Sequence, residues 1–378
     1  MSIRRLPLEG VRVLDLSAAA AGALGAALLA DMGAEVLKVA EPSAASAPEP
    51  PAYPQHADRN KYACVIDARH PQGRELILEL ARRSAVFVED RGGDAMAELG
   101  LGYEELAAAC PGIIYVTSPV HGNEDPSESS VGWAASRAGS VMGTFLAGAV
   151  VAALYHRYRT GRGQHIEVPQ REALASFIGE YVVARGITGA PPPRAGNRHP
   201  LWSPHGCYPT AEDDGWIVIA CRDDAEFHAL CRAIGAPHLA ADPRYATAAA
   251  RKQDEDALDA RISAWTRALA REEVFARCTA AGVPAAPVLS STELPRDPHL
   301  QARGFWEPVS HATAGHSLVE GPAWRVRRVE PHVRIPPPRF GEHNDYVFRT
   351  LLGLDDARLV ALREAGVIAE EPGFDVRH

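Results

Sequence analysis

The sequence predicts an open α/β fold, in which a Rossmann-like parallel sheet is covered by helices and followed by a smaller α+β domain. Short apolar strands alternate with helical segments through residue 168, which is the pattern of a parallel sheet with helical crossovers. The chain also has 378 residues, which exceeds the usual size of a single domain, so two domains are expected.

The first elements form a strand–helix–strand unit. Residues 11–16 predict a short apolar strand, and Ser17 stands where it would cap an alanine-rich helix over 18–32. Gly33 ends that helix, and residues 34–39 predict the second strand. We expect the two strands to pair in parallel through a right-handed crossover.

The alternation then continues along the chain. It predicts strands at 63–67, 85–89, 112–117 and 165–168, and loops at 41–55 and 120–132. It also predicts helices at 71–83, 94–110, 138–155 and 171–185, the second of them interrupted at Gly100 and Gly102. Gly22 and Gly25, in the first helix, match no nucleotide-binding fingerprint and are better explained as positions where helices pack closely.

The domain boundaries follow from composition. A stretch rich in proline and glycine at 189–209 is typical of an interdomain crossing. We therefore expect a large domain over 1–190, completed by 330–378, and a small domain over 200–325. In the small domain the sequence predicts a strand at 216–220 and helices at 224–234, 255–269 and 271–281, and after the stiff segment 335–338 it predicts helices at 345–352 and 355–365.

Composition argues against several functional classes. The formal net charge of -9 disfavours nucleic acid as a partner. The six cysteines lack CxxC spacing, and His199, His205 and Cys207 match no common zinc pattern, so neither a disulfide framework nor a metal is expected. The uncharged run 138–155 contains several glycines and is interpreted as a buried helix rather than a membrane span. A cytoplasmic location is the resulting expectation.

Polar residues mark the ends of several predicted strands. Lys38 ends the second strand, Asn60 and Lys61 precede the third, and Asp90 and Arg91 follow the fourth. We expect them to cluster at the ligand-binding edge of the sheet, where cationic side chains suit a polyphosphate. The alternative, that such side chains are simply solvated, stays open.

Several separate patches of the chain carry a resemblance to a known family. They include 8–16, 33–38, Arg159–Gln164 (RTGRGQ), 196–199, 208–210 and 281–284. Together they resemble the class III CoA-transferases, a group that includes formyl-CoA and carnitine CoA-transferases and α-methylacyl-CoA racemases. The resemblance implies CoA transfer between carboxylic acids, acyl-CoA as substrate, and two chains interlinked like rings. It also implies CoA contacts at Lys38, Asn60, Lys61, Asp90 and Arg91.

The resemblance also implies a catalytic aspartate, which attacks the donor thioester and forms an enzyme-bound CoA thioester. Counting back from RTGRGQ places this aspartate at Gly139, which has no side chain to react. Glu124 and Asp125, in the loop before the helix, are the candidate substitutes.

Four hypotheses follow from the missing aspartate. The chain is a CoA-transferase with an altered active site, or a non-catalytic subunit of a heterodimer, or a repurposed acyl-CoA isomerase, racemase or lyase. A binding or structural protein without CoA affinity is the alternative from another class. A homodimer and a heterodimer with a related subunit both remain open.

Overall fold

A computed structural model describes residues 5–42, 57–92, 94–119, 132–191, 193–311, 315–326, 329 and 331–369, without the side chains of 132–138 and 140. The chain divides into two compact units. One contains Met1–Glu180 with Pro298–His378, and the other contains Tyr181–Asp297.

The larger unit is built on a six-stranded parallel sheet, which confirms the predicted α/β class. Its strands are β1 (Arg12–Asp15), β2 (Glu35–Ala40), β3 (Lys61–Val65), β4 (Val86–Glu89), β5 (Ile114–Thr117) and β6 (Gln164–Glu167). Their spatial order is β3-β2-β1-β4-β5-β6, and every pairing is parallel. The order reverses between β1 and β4, which makes the crevice above these two strands the topological switch point.

Helices cover both faces of this sheet. One face packs against α1 (Ala20–Asp31) and α5 (Gly132–Thr160) through strand residues such as Val13, Val88 and Val116. The opposite face carries Leu14 and Phe87. It is covered by α2 (Pro71–Arg82), α3 (Ala95–Glu98), α4 (Tyr103–Ala109), a π-helical segment (Tyr346–Leu351) and α13 (Asp356–Glu364).

Helices α1 and α5 pack closely because both carry glycines at their contact. A Cβ built on Gly143 would lie 2.8 Å from the backbone nitrogen of Gly25 and 2.9 Å from Leu24 Cβ. A Cβ built on Gly25 would lie 2.6 Å from Leu146 Cδ2. The helix-packing role predicted for Gly25 is confirmed, whereas a Cβ on Gly22 would meet Ser17 and Asp90 instead. None of the helices described is long and apolar enough to cross a membrane.

The interruption predicted at Gly100 and Gly102 within the helix over 94–110 is confirmed: α3 and α4 are separated there, because Gly100 adopts a left-handed conformation (φ +67°). Two other predicted helices have different limits in the structure. The helix predicted over 171–185 is divided into α6 (Gln170–Phe177) and α7 (Gly179–Thr188). Helix α5 continues past the uncharged run to Thr160, where Arg157 and Arg159 complement the negative end of its dipole.

The smaller unit combines an antiparallel sheet with helices. Its strands are β7 (His205–Pro209), β8 (Trp216–Ala220) and β9 (Ala285–Val288), and its helices are α8 (Asp224–Ala233), α9 (Ala248–Gln253), α10 (Glu255–Thr266) and α11 (Arg271–Ala281). Only β8 was predicted among the strands. Pro209 and Pro287 lie in the two others, and proline is unusual within strands.

After the smaller unit the chain returns to the larger one. It forms α12 (Pro298–Ala302) and then an antiparallel hairpin of β10 (Trp306–His311) and β11 (Gly315–Glu320). The sequence analysis did not predict this hairpin. The segment beyond it reaches the sheet at Asn60, whose backbone nitrogen donates to the carbonyl of Ile335 at 2.9 Å.

Candidate active site at the carboxyl ends of the central strands

Four charged side chains share the face of the sheet that α1 and α5 cover. Val13 and Val36 point to this face, so the period of two along a strand places Asp15 and Lys38 there as well. Asp15 and Lys38 are register partners on neighbouring strands. Asp90, two residues beyond Val88, also belongs to this face, and the side chain of Lys61 runs along it toward Asp15. We call Asp15, Lys38, Lys61 and Asp90 the polar cluster.

The carboxylate of Asp90 caps the amino end of α1. Its Oδ1 accepts from the backbone nitrogens of Ala18 (2.7 Å) and Ala19 (3.1 Å), and its Oδ2 accepts from Ala19 (3.0 Å) and Gly22 (3.2 Å). The cap predicted at Ser17 is wrong, because the Ser17 hydroxyl instead donates to Asp15 Oδ1 at 2.5 Å. The first turn of α1 therefore takes its negative partner from the end of β4, an arrangement that the helix dipole favours.

Burial perturbs the protonation of Asp90, which is only 7% exposed. Loss of solvent raises the pKa of this carboxyl to about 6, although the N–H groups of Ala18 and Ala19 and the charge of Lys38 act in the opposite direction. The negative charge of Asp15 adds to the increase. In the part of the chain that the structure describes, no lysine or arginine nitrogen lies within 4.0 Å of the Asp90 carboxylate.

Lys61 is fully buried, and its ammonium has three partners. It donates to Asp15 Oδ2, to the carbonyl of Ala23 and to Asp58 Oδ1, each at 2.8 Å. An ammonium has three N–H donors, so none is left for a ligand. Burial alone would raise the pKa of Asp15, but the charges of Lys38 and Lys61 outweigh it and hold that pKa below its ordinary value.

Lys38 and Arg91 lie closer to solvent than Lys61. The ammonium of Lys38 donates to the Ser17 carbonyl at 2.7 Å and lies 3.8 Å from Asp15 Oδ2. Burial opposes its charge, but Asp15, Asp58 and Asp90 together raise the pKa of Lys38. The guanidinium of Arg91 pairs with Glu41 at 2.8 Å and is partly exposed. These two cations flank the carboxyl ends of β2 and β4.

The position predicted for Asn60 and Lys61 is wrong. Lys61 begins β3, and β3 runs parallel to β2, so both residues lie at the amino end of the sheet rather than at its ligand-binding edge. Only the length of the Lys61 side chain brings its ammonium to the polar cluster.

Asn60 holds the C-terminal segment against the sheet. It adopts a left-handed conformation (φ 61°), which asparagine tolerates better than most residues. Its amide donates to Asp31 at 2.8 Å and to the His332 carbonyl at 3.2 Å, and its oxygen accepts from Arg334 and Ile335. The predicted CoA contacts of Asn60 and Lys61 stay predictions, while the polar atoms of both side chains are bonded within the protein.

Gly139 lies against the same first turn of α1 that Asp90 caps. It is buried, and a Cβ built on it would be 2.8 Å from Ala20 Cβ and 3.5 Å from the backbone nitrogen of Ala21. Glu124 and Asp125, the predicted substitutes for the missing carboxylate, lie outside the described residues. The sequence analysis placed Asp90 among the CoA contacts and missed that Asp90 and Gly139 contact the same turn of α1. No local pattern in the sequence indicates this contact, because the two residues are 49 positions apart.

Apolar side chains are exposed on α5 and α6 of the larger unit and, separately, on α7, most of which belongs to the smaller unit. On α5 and α6, Phe145 is 40% exposed, Tyr158 is 86% exposed and Phe177 is 57% exposed. Helix α7 buries none of its side chains, and Ile187 is 80% exposed. Apolar surface of this extent is typical of an interface with another chain.

The smaller unit carries an open cavity of about 590 Å³ between β7, β8 and the segment 196–198. Arg198 lines it and is held by Asp259 at 2.9 Å. Near this cavity, His199 stacks on Trp202 at 4.0 Å between ring centroids. Within the described ranges, no three histidine, cysteine, aspartate or glutamate side chains are grouped so that they could hold a metal ion.

The chain is similar to known proteins over nearly its whole length. The sequence profile of CoA-transferase family III matches residues 8–137 and 135–344. Succinyl-CoA--D-citramalate CoA-transferase of Chloroflexus aurantiacus is 31% identical over 96% of this chain and 98% of that protein. The beta subunit of Succinyl-CoA--L-malate CoA-transferase from the same organism is 29% identical over 96% of this chain and 98% of that protein.

A solved structure shares this fold. The crystal structure of a CAIB/BAIF family protein from Brucella suis superposes with a TM-score of 0.80 at 26% identity. The match covers 92% of this chain and all of that one (100%). The two matched segments of the family profile overlap at residues 135–137, just before Gly139.

Proposed function

Because the chain belongs to CoA-transferase family III and is a transferase-like enzyme of that family, we propose that it moves CoA from succinyl-CoA to a short dicarboxylic acid. The observation that carries this proposal is similarity from end to end with a transferase named for succinyl-CoA and D-citramalate, at 31% identity over 98% of that protein. Succinate, the acid released from the donor, and D-citramalate each have two carboxyl groups, and the L-malate relative also uses a dicarboxylic acid.

CoA would bind at the switch point, above the carboxyl ends of β1 and β4. Ligands of open α/β sheets bind in this crevice. Lys38 and Arg91 are the cations nearest to solvent there, and they suit the phosphate groups of CoA. Lys61 would act indirectly, because its bonds to Asp15 and Asp58 hold the cluster on which Lys38 rests. A cytoplasmic location stays a prediction from the pattern of cysteines.

The second candidate function is that of a subunit in a heterodimeric CoA-transferase. The observation that favours it is Gly139, which leaves the inherited nucleophile position without a side chain. A named relative is the beta subunit of such an enzyme. The exposed apolar side chains of α5 and α6 fit a dimer, either of two copies or with a related chain, in the interlocked arrangement that the resemblance implies.

The experiment incubates the purified chain with succinyl-CoA and, separately, D-citramalate, L-malate and glutarate. Chromatography of the CoA thioesters is expected to show a new thioester formed in the same amount as succinate released. Hydrolysis alone, without a new thioester, would contradict the transfer. Activity that arises only with a related subunit would establish the second candidate, and a product with the mass of the donor would indicate an isomerase.

CoA binding is tested separately from turnover. Lys38→Met is expected to weaken succinyl-CoA binding by about 10-fold to 100-fold, because a charged hydrogen bond is worth about 1.5–3 kcal/mol. Lys252→Met is the matched control, since Lys252 lies in the smaller unit and pairs with Glu255 at 2.6 Å. Equal effects of the two variants, measured by calorimetric titration, would remove Lys38 from the proposed CoA site.

A further inference from the structure

We propose that Asp90 is the covalent nucleophile of this chain and replaces the carboxylate that is missing at position 139. The inference rests on the proposed CoA transfer and names the residue that performs it. It is carried by one juxtaposition: the carboxylate of Asp90 and the backbone of Gly139 both contact the first turn of α1.

The two contacts lie within one helical turn. Asp90 accepts hydrogen bonds from Ala18, Ala19 and Gly22, while Gly139 packs on Ala20 and Ala21. One turn of an α-helix rises only about 5.4 Å. A carboxylate from β4 is therefore held within about one helical turn of the place from which the carboxylate on α5 would have acted.

The neighbouring carboxylates do not fit this role. Asp15 lies on the same face but is tied to Lys61 at 2.8 Å and to the Ser17 hydroxyl, and it has no exposed surface. Glu89 precedes Asp90 and belongs to the opposite face of the sheet, where it accepts from the Tyr115 hydroxyl at 3.5 Å. Asp90, like Glu89 and unlike Asp15, has no lysine or arginine nitrogen within 4.0 Å among the described residues, so it is the face of the sheet that separates Asp90 from Glu89.

The N–H groups around Asp90 would also stabilise the reaction. When a nucleophile attacks the acyl carbon of a modified Asp90, negative charge develops on the oxygen that remains a carbonyl. The backbone nitrogens of Ala19 and Gly22 already lie 3.0 and 3.2 Å from Oδ2. Such fixed donors form an oxyanion hole, whose contribution is about 10²–10³ in rate per donor. The first turn of α1 would thus serve as the oxyanion hole of Asp90 itself.

The steps balance without any further reactant. The Asp90 carboxylate attacks the thioester carbon of succinyl-CoA, which forms a mixed anhydride and releases the CoA thiolate. The thiolate then attacks the Asp90 acyl carbon, forms an aspartyl-CoA thioester and releases succinate. The acceptor carboxylate attacks that thioester carbon and expels the thiolate, and the thiolate finally takes the acceptor acyl group and frees the Asp90 carboxylate. No net proton is consumed.

The protonation state of Asp90 agrees with this role. Its pKa of about 6 leaves it mainly ionised above pH 7, and it is more basic than an ordinary aspartate. The side chains that bear on it are Lys38 and Asp15 from neighbouring strands. The small exposed fraction of Asp90 limits the approach of a thioester to one side.

The decisive experiment labels the nucleophile in the wild-type chain, so no variant has to fold. The chain turns over succinyl-CoA with glutarate that carries oxygen-18 in its carboxyl groups. In the steps above, one acceptor oxygen remains on the nucleophile after each cycle. Trypsin releases the peptide Ser84–Arg91, which contains Glu89 and Asp90, and fragment masses distinguish the two. Oxygen-18 at Asp90 is the expected result.

Two results would overturn the assignment while CoA transfer stands: turnover with label on a different carboxylate, or turnover without any label. A chain that turns over nothing by itself also overturns it, because a chain with its own nucleophile needs no partner. The titration with succinyl-CoA then decides independently whether the proposed CoA site fails as well.

A pair of variants gives a second measurement. Asp90→Asn is expected to lower kcat by about 10³-fold or more, as removal of a covalent nucleophile does. Glu89→Gln is the matched control, since it changes the adjacent buried carboxylate on the other face of the sheet. Circular dichroism and succinyl-CoA binding confirm that both variants fold. A folded Asp90→Asn variant that retains the wild-type kcat would refute the role of Asp90.

Discussion

The raised pKa of Asp90 makes the stability of this chain depend on pH in a direction opposite to that of most carboxylates. Between pH 4 and pH 7 the folded chain binds more protons at Asp90 than the unfolded chain does, since the pKa rises from 3.8 to about 6 on folding. The free energy of unfolding therefore falls as the pH rises through this window. Asp90→Asn removes the titrating group and should remove this contribution.

The magnitude follows from the two pKa values. Ionising Asp90 in the folded chain costs about 3 kcal/mol more than in the unfolded chain, since one pKa unit corresponds to about 1.4 kcal/mol. As the pH falls from 7.5 to 5, protonation of Asp90 should raise the free energy of unfolding of the wild-type chain by about 1.4 kcal/mol. The variant should lack this gain.

The assay is urea unfolding, followed by circular dichroism, at pH 5 and pH 7.5 for both proteins. The other titrating groups contribute equally to both, so the difference between the two pH dependences isolates Asp90. Asp94→Asn is the control, because Asp94 lies four residues along the chain and is exposed. It should leave the pH dependence of wild type unchanged.

An identical pH dependence in wild type and Asp90→Asn would refute the reasoning. Asp90 would then be as well solvated in the folded chain as in the unfolded chain, contrary to its burial under α1. If wild type instead gained stability from pH 5 to pH 7.5 relative to the variant, the pKa of Asp90 would be lowered on folding. The N–H groups and Lys38 would then outweigh burial in setting that pKa.

The remaining predictions concern packing and buried charge. Lys61→Met should lower the free energy of unfolding by about 3–5 kcal/mol, because it leaves Asp15 buried without its nearest cation. Urea unfolding measures this loss, and a loss below about 1 kcal/mol would contradict the prediction. Gly143→Ala should lower the free energy of unfolding by about 1–3 kcal/mol, since its Cβ would lie 2.8 Å from the backbone nitrogen of Gly25. The control is Gly148→Ala, whose Cβ would meet nothing within 4 Å, and thermal melts should show it to be neutral or stabilising.

The order of elements in the larger unit was predictable because its signals are local. Alternating apolar strands and helices identified β1 to β6, whereas the assignment of Gly139 to the nucleophile position stays a prediction from a count along the chain. The smaller unit was harder to predict, because β7 and β9 contain Pro209 and Pro287, and proline is unusual within strands. The β10–β11 hairpin was missed altogether.

The sequence alone determined the class of fold and the family, because strand periodicity and residue spacing do not depend on distant contacts. Only the tertiary structure decided how the polar side chains are paired. Asp90 caps a helix that begins about 70 residues earlier, and Lys61 reaches Asp15 from the opposite end of the sheet. Such pairings depend on strand order and side-chain length, which local patterns do not encode.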